Sequence, residues 1–318
     1  MTTFGYFLSC EEFHPNELVR QAVRAEAAGF QRLWISDHFH PWTDRQGHSP
    51  FVWSVIGALS QACSLPVTTA VTCPIMRIHP AIIAQAAATA AAQLGGRFAL
   101  GVGTGEALNE HITGQHWPTS AVRRSMLEEA VSVIKELFTG EQVNHRGRYF
   151  TVENARLYTL PPEPAPIYIS GYGPAAAQLA GRIGDGFVCT MPSAELVGQF
   201  RDGGGANKPT QAGFKVCYAD SKDDGVRTAH DLWCTEQLPG ELGQILPTPT
   251  HFDQASSLVP ASAVEQAVPC GPDAKRYLDR IRDFTDAGFD EVYVQQIGPD
   301  QDRFFDFWES EVAPEFAA

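Results

Sequence analysis

The chain has 318 residues, 44% hydrophobic and 19% charged, which is ample material for a buried core. A net charge of −14 argues against a nucleic-acid groove, which needs clustered Lys and Arg. The longest apolar stretch, around 81–92, is Ala-rich, broken by Gln85 and too short for a membrane span.

The predicted elements alternate. "FGYFLS" (4–9) reads as a strand before a helix at 15–28 that stops at Gly29. "RLWIS" (32–36) precedes a loop and a helix near 51–63, and "PVTTAVT" (66–72) precedes an Ala-rich helix at 80–94. "RFALGVG" (97–103) leads through a loop to a helix near 120–138. An excursion at 141–165 separates this unit from "PIYIS" (166–170) and a helix at 174–183. "GFVCT" (186–190), "GFKVCYA" (213–219) and "EVYVQQI" (291–297) complete eight strand candidates, with helices at 272–287 and 301–312 around the last. Strand–helix alternation demands parallel pairing with helices outside, and eight such units favour a closed (β/α)8 TIM barrel. The whole of 1–318 is expected to form that one barrel domain. Residues 220–270 fit least well: a helix at 221–238 and then a stretch rich in Pro, Thr and Ser, read as an insertion before the last strand.

In such a barrel, residues just beyond a strand share the rim that carries active sites. Glu11 follows the first strand, Asp37, His38, His40 and Trp42 the second, Cys73 the third, "GVGTGEALNE" (101–110) the fourth, "SGYGP" (170–174) the fifth and Thr190 the sixth. A lone histidine is ordinarily structural; His38, with an acid beside it at a strand end, suits a general acid–base. Trp42 reads equally as core or as a wall for a flat ring. "GVGTGE" lacks the dinucleotide fingerprint and reads as a tight turn aiming Glu106 at the pocket. The turn before Pro174 presents unpaired N–H groups to an anion without needing a lysine. Glu12, Asp44, His79 and His116 read as solvated or structural. No metal motif is present. Seven scattered cysteines without a CxxC pair, and an N-terminus without a signal-peptide pattern, point to reduced thiols and a cytoplasmic protein.

"SDHFHPW" (36–42), "HSPFVW" (48–53), "HPAIIAQAAAT" (79–89), "GVGTGEALNE" and "AGRIGDGFVCT" (180–190) together resemble the luciferase-like superfamily of flavin and deazaflavin oxidoreductases. Within it the chain looks like the branch typified by F420-dependent glucose-6-phosphate dehydrogenases. The resemblance covers 1–190 well and 271–318 moderately. It implies the deazaflavin coenzyme F420, which carries hydride at C5. It also implies a homodimer and a small-molecule or peptide substrate. By that resemblance His38 is the acid–base residue, Trp42 flanks the substrate, Glu106 sits near N1 of the ring and Glu11 completes the polar pocket. Asp37 lies near the ring, and Ala70–Val71 matches a non-proline cis peptide against it. Gly103, Thr104, Ser170, Gly171, Tyr172 and Gly173 match backbone contacts to the coenzyme, the last four cradling its phosphate, and Thr190 shares their rim.

One departure bears on the substrate. Where the sugar-phosphate enzymes hold the substrate phosphate with cations, this chain aligns Ser193, Gln254 and Glu265. The expected substrate is therefore not phosphorylated. Reduction of an activated C=C or C=N bond, as in tailoring of dehydroamino acid peptides, is slightly favoured over oxidation of a sugar or other alcohol. An FMN-dependent monooxygenase is the alternative from different chemistry, and a catalytically silent barrel a third.

Overall fold

A computed structural model describes residues 2–316. In chain order it contains β1 (Thr3–Leu8), α1 (Pro15–Ala27), β2 (Arg32–Ile35), α2 (Val52–Ala62), β3 (Val67–Thr69), α3 (Pro80–Gln93), β4 (Phe98–Val102), α4 (Ala107–Glu110) and α5 (Ser120–Leu137). There follow β5 (Val143–Arg146), β6 (Thr151–Ala155), β7 (Ile167–Ser170), α6 (Pro174–Ile183), β8 (Gly186–Cys189), α7 (Ala194–Phe200), β9 (Thr210–Val216) and α8 (Lys222–Trp233). The chain ends through α9 (Leu242–Ile245), α10 (Pro249–Ser256), α11 (Ala261–Ala267), α12 (Ala274–Asp286), β10 (Glu291–Gln296) and α13 (Gln301–Phe307). Strands β1, β2, β3, β4, β7, β8, β9 and β10 close a parallel barrel in that order, as the alternation predicts.

Local chemistry starts the helices. His14 and His79 each cap a helix through Nδ1, accepting from Asn16 N–H and Ala81 N–H, and each is followed by proline at the first helical position. Along the strands, side chains alternate between the helical layer and the barrel interior. Phe7, Trp34, Tyr168, Val188 and Tyr293 come from five strands and meet inside. Trp34 stacks on Tyr293 at 4.3 Å, and a Cβ on Gly213 would lie 2.3 Å from the Trp34 ring, so that position must be glycine. The parity this sets puts Lys215 and Gln295, register partners on β9 and β10, inward and one layer nearer the C-terminal rim.

Two stretches differ from the sequence reading. The 141–165 excursion contains the antiparallel β5–β6 hairpin outside the barrel. The Pro-, Thr- and Ser-rich segment after α8 is mostly helical. Its prolines start helices instead of breaking them: Thr248 caps α10 with Pro249 at the first position, and Pro260 precedes α11. Helix α8 stops at Trp233 and continues only as a 3-10 turn, Cys234–Gln237. The segment has its own small core of Val226, Ala229, Trp233, Val259, Val264 and Val268, against which Trp42 of the rim packs. Its neck is closed by a bridge between Cys217 and Cys270. All seven cysteines are free and buried. Among the described residues no helix is long and apolar enough to cross a membrane.

Candidate active site

The rim residues after β1 and β2 converge. Glu11 is 3% exposed, and its Oε2 accepts from Ser36 Oγ at 2.6 Å and Ser9 Oγ at 3.0 Å. Its Oε1 lies 3.4 Å from His38 Nε2. Burial pushes the Glu11 carboxyl up, but the His38 ring and the Ser36 hydroxyl outweigh it and hold the group below its ordinary value. On the other side of the imidazole, Nδ1 is 3.0 Å from Asn109 Nδ2 and 3.2 Å from the His40 carbonyl. The Asn109 amide is oriented by its Oδ1, which accepts from Phe39 N–H and His40 N–H at 2.8 and 3.1 Å. Its NH2 group therefore faces His38. A bare Nδ1 can accept from Asn109, and a protonated one can donate to the His40 carbonyl. Either protonation state finds a partner without the ring turning, which suits an acid–base group. Trp42 lies 5.1 Å from the His38 ring and 5.1 Å from Phe252 of α10. The inserted segment thus shapes the same mouth.

Asp37 does not share this open edge. It is 4% exposed; Oδ2 accepts from Thr72 Oγ1 at 2.7 Å and Oδ1 from Arg77 Nη2 at 2.8 Å. Arg77 also donates its backbone N–H to Glu110 Oε2 at 2.8 Å, and its Nε lies 3.4 Å from Oε1. Burial pushes Glu110 up to about 7 despite the guanidinium beside it. The Asp37–Arg77–Glu110 cluster ties the loops after β2, β3 and β4 together beneath the rim.

The peptide between Ala70 and Val71 is cis, as the resemblance implies. A Cβ on Gly103 would meet Val71 at 2.8 Å and Ser170 at 3.6 Å, so these expected coenzyme-contact positions are contiguous. Gly105, at φ +68°, has room for no side chain: a Cβ would lie 2.5 Å from Cys73 Sγ. That turn delivers Glu106, half-buried and without a side-chain hydrogen bond among the described residues, to the start of α4. Thr104 stands half-buried beside it. Across the rim, Gly173 begins α6 with Pro174 next. The N–H groups of Tyr172, Gly173 and Ala175 have no protein acceptor among the described residues, as expected of an anion cradle. Thr190 Oγ1 donates to the Tyr172 hydroxyl at 3.2 Å, joining the ends of β7 and β8.

Several site residues escape a strand-end reading. Asn109 lies three positions beyond Glu106, one helical turn on, and that spacing was the available signal. Arg77 and Lys215 carry no local signal of their role. Glu12 is buried, not solvated: it accepts from Trp233 Nε1 (2.6 Å), Gln295 Nε2 (3.2 Å) and Gly298 N–H (2.8 Å), and burial pushes it up to about 7.

Known proteins share this arrangement. The family model for luciferase-like monooxygenases matches residues 2–291. The chain is 35% identical to the F420-dependent glucose-6-phosphate dehydrogenase of Segniliparus rotundus, over 98% of this chain and 96% of that one. It is 36% identical to the protein of the same name from Nakamurella multipartita, over 99% and 96%. The fold matches that of an F420-dependent secondary alcohol dehydrogenase, solved in complex with an F420-acetone adduct, with TM-score 0.92 and 31% identity over 98% of both chains. By these matches the chain belongs to the luciferase-like family.

Proposed function

We propose that the chain is an F420-dependent oxidoreductase that interconverts the hydroxyl and carbonyl forms of a small, non-phosphorylated substrate. The observation that carries this reading is the His38 imidazole held between Glu11 and Asn109 with Trp42 alongside. The coenzyme supplies a hydride acceptor or donor at C5. Residues suited to hold it are present: the contiguous Ala70, Val71, Gly103 and Ser170, and the Tyr172–Ala175 backbone N–H groups for its phosphate. In oxidation, His38 Nε2 takes the substrate hydroxyl proton, and the imidazolium so formed faces the Glu11 carboxylate. In reduction the same proton returns to the carbonyl oxygen. Trp42 closes the mouth against water, backed by Phe252. Glu106 is the free carboxylate at the rim for charge control at the ring. Asp37, with both oxygens engaged, positions loops.

Several observations support a non-phosphorylated substrate. Ser193 caps α7, Gln254 lies on α10 and Glu265 pairs with Lys222 on the outside of the insertion. The cations around the mouth are committed: Arg77 to Asp37 and Glu110, Arg123 to Gln244 and the Pro118 carbonyl, Lys215 to Glu236. Reduction of a C=C or C=N bond would use the same residues, but likeness to a solved secondary alcohol dehydrogenase favours the hydroxyl–carbonyl couple. Fluorescence titration of the purified protein with F420 and with FMN tests the reading. Much tighter binding of F420 is expected; comparable FMN binding with oxygen-dependent turnover overturns it.

A further inference from the structure

Lys215 and Gln295 face inward side by side on β9 and β10, in the layer that floors the mouth. The Lys215 side chain is 8% exposed. Its ammonium sits 4.0 Å from the centre of the Trp233 ring and pairs with Glu236, both delivered by the insertion. One N–H of three is used on Glu236. Gln295 is 1% exposed. Its NH2 group donates to Glu12 Oε1, which fixes the amide so that Oε1 is the free end, and that Oε1 has no partner among the described residues. A buried amide oxygen is seldom left unpaired.

We infer that Lys215 and Gln295 form a recognition subsite for a hydroxyl of the substrate other than the one that reacts. A hydroxyl is the group that can both accept from an ammonium and donate to an amide oxygen. Glu236 already neutralises the ammonium, so the subsite suits an uncharged group and not a carboxylate or phosphate. The Trp233 face and the Phe7 ring, 5.8 Å from the ammonium, supply apolar walls for the carbon skeleton. The substrate class is accordingly a neutral compound with at least two hydroxyl groups. A simple secondary alcohol leaves Gln295 Oε1 unpaired, and sites built around a hydroxyl discriminate strongly against analogues that lack it.

The inference rests on the proposed hydroxyl–carbonyl reaction, and two readouts keep the two apart. The first is kcat/KM with F420 for cyclohexanol against 1,2-, 1,3- and 1,4-cyclohexanediol. At least one diol is expected to exceed cyclohexanol by about tenfold or more, with the ratio collapsing towards one in Gln295→Leu and Lys215→Met. Equal rates for the wild type, or a preference kept in both folded variants, overturn the subsite. The second readout is binding without turnover: 15N NMR of the Gln295 side-chain amide and the Trp233 indole N–H on adding each compound. Shifts with a diol and not with cyclohexanol support the subsite even if no compound is turned over, in which case only the proposed reaction fails. No shift with any diol means that Gln295 Oε1 binds water alone, and overturns it.

Discussion

Asn109→Asp isolates the acid–base assignment of His38. The aspartate keeps an oxygen for Phe39 N–H and His40 N–H, now held at 2.8 and 3.1 Å, so the loop after β2 should stay in place. What changes is the group 3.0 Å from His38 Nδ1: an amide donor becomes a carboxylate oxygen. The bare Nδ1 loses its hydrogen bond, and the imidazolium gains a second anion opposite Glu11. An opposite charge at such range moves a titrating group by about 1–3 units, each worth about 1.4 kcal/mol. Glu11 at 3.4 Å already favours the imidazolium, so the increment belongs at the lower end, about 1–2 units. The assay is NMR titration of the histidine rings without coenzyme or substrate, with His38→Ala to assign the signal. The expected result is an upward shift of the His38 midpoint. At neutral pH, alcohol oxidation then falls about 10–100-fold, because less imidazole is free to take a proton, while carbonyl reduction falls less. A folded variant whose His38 titrates within about 0.3 unit of the wild type would refute the arrangement, since that is far below the range expected for a new contact anion.

His38→Ala and Glu106→Gln should each lower turnover at least about tenfold, with thermal stability close to wild type, because proton transfer commonly contributes 10²–10⁴-fold; near-normal rates would remove that residue from its role. Glu12 and Glu110, both pushed up to about 7 by burial, should make stability fall as pH rises. The folded chain keeps protons there that the unfolded chain releases near 4.5, so the penalty is absent below about pH 4.5 and complete above about 7. Melting temperatures of Glu12→Gln and Glu110→Gln, relative to wild type, should therefore rise across that window; parallel curves would contradict the burial argument. Glucose-6-phosphate should be a poor substrate, since each charge-assisted bond missing at Ser193, Gln254 and Glu265 costs about 1.5–3 kcal/mol, and two raise KM about a hundredfold. Robust turnover at micromolar KM would show that other cations hold the phosphate.

Much of the fold was readable in the sequence. Apolar runs too short for helices, separated by longer runs at helical spacing, leave parallel pairing as the way to bury both faces, and eight of them close a barrel. The hairpin at β5–β6 and the helices of the insertion were less legible. There Pro and Thr carry opposite meanings at the start of a helix and inside one, and composition does not say which applies.

The site divides in the same way. Position just beyond a strand is a local property, so Glu11, His38, Trp42, Glu106 and the Ser170–Gly173 turn were all legible as rim residues. Their partners were not. Asn109 reaches His38 from 71 residues away, and Arg77 reaches Asp37 from 40. Gln295 reaches Glu12 from 283 residues away, because β10 closes the barrel onto β1. Spacing along the chain is silent on such contacts. They exist because closure of the sheet brings the two ends of the sequence to adjacent strands, and burial there makes each unpaired polar atom a constraint that only the folded neighbours can satisfy.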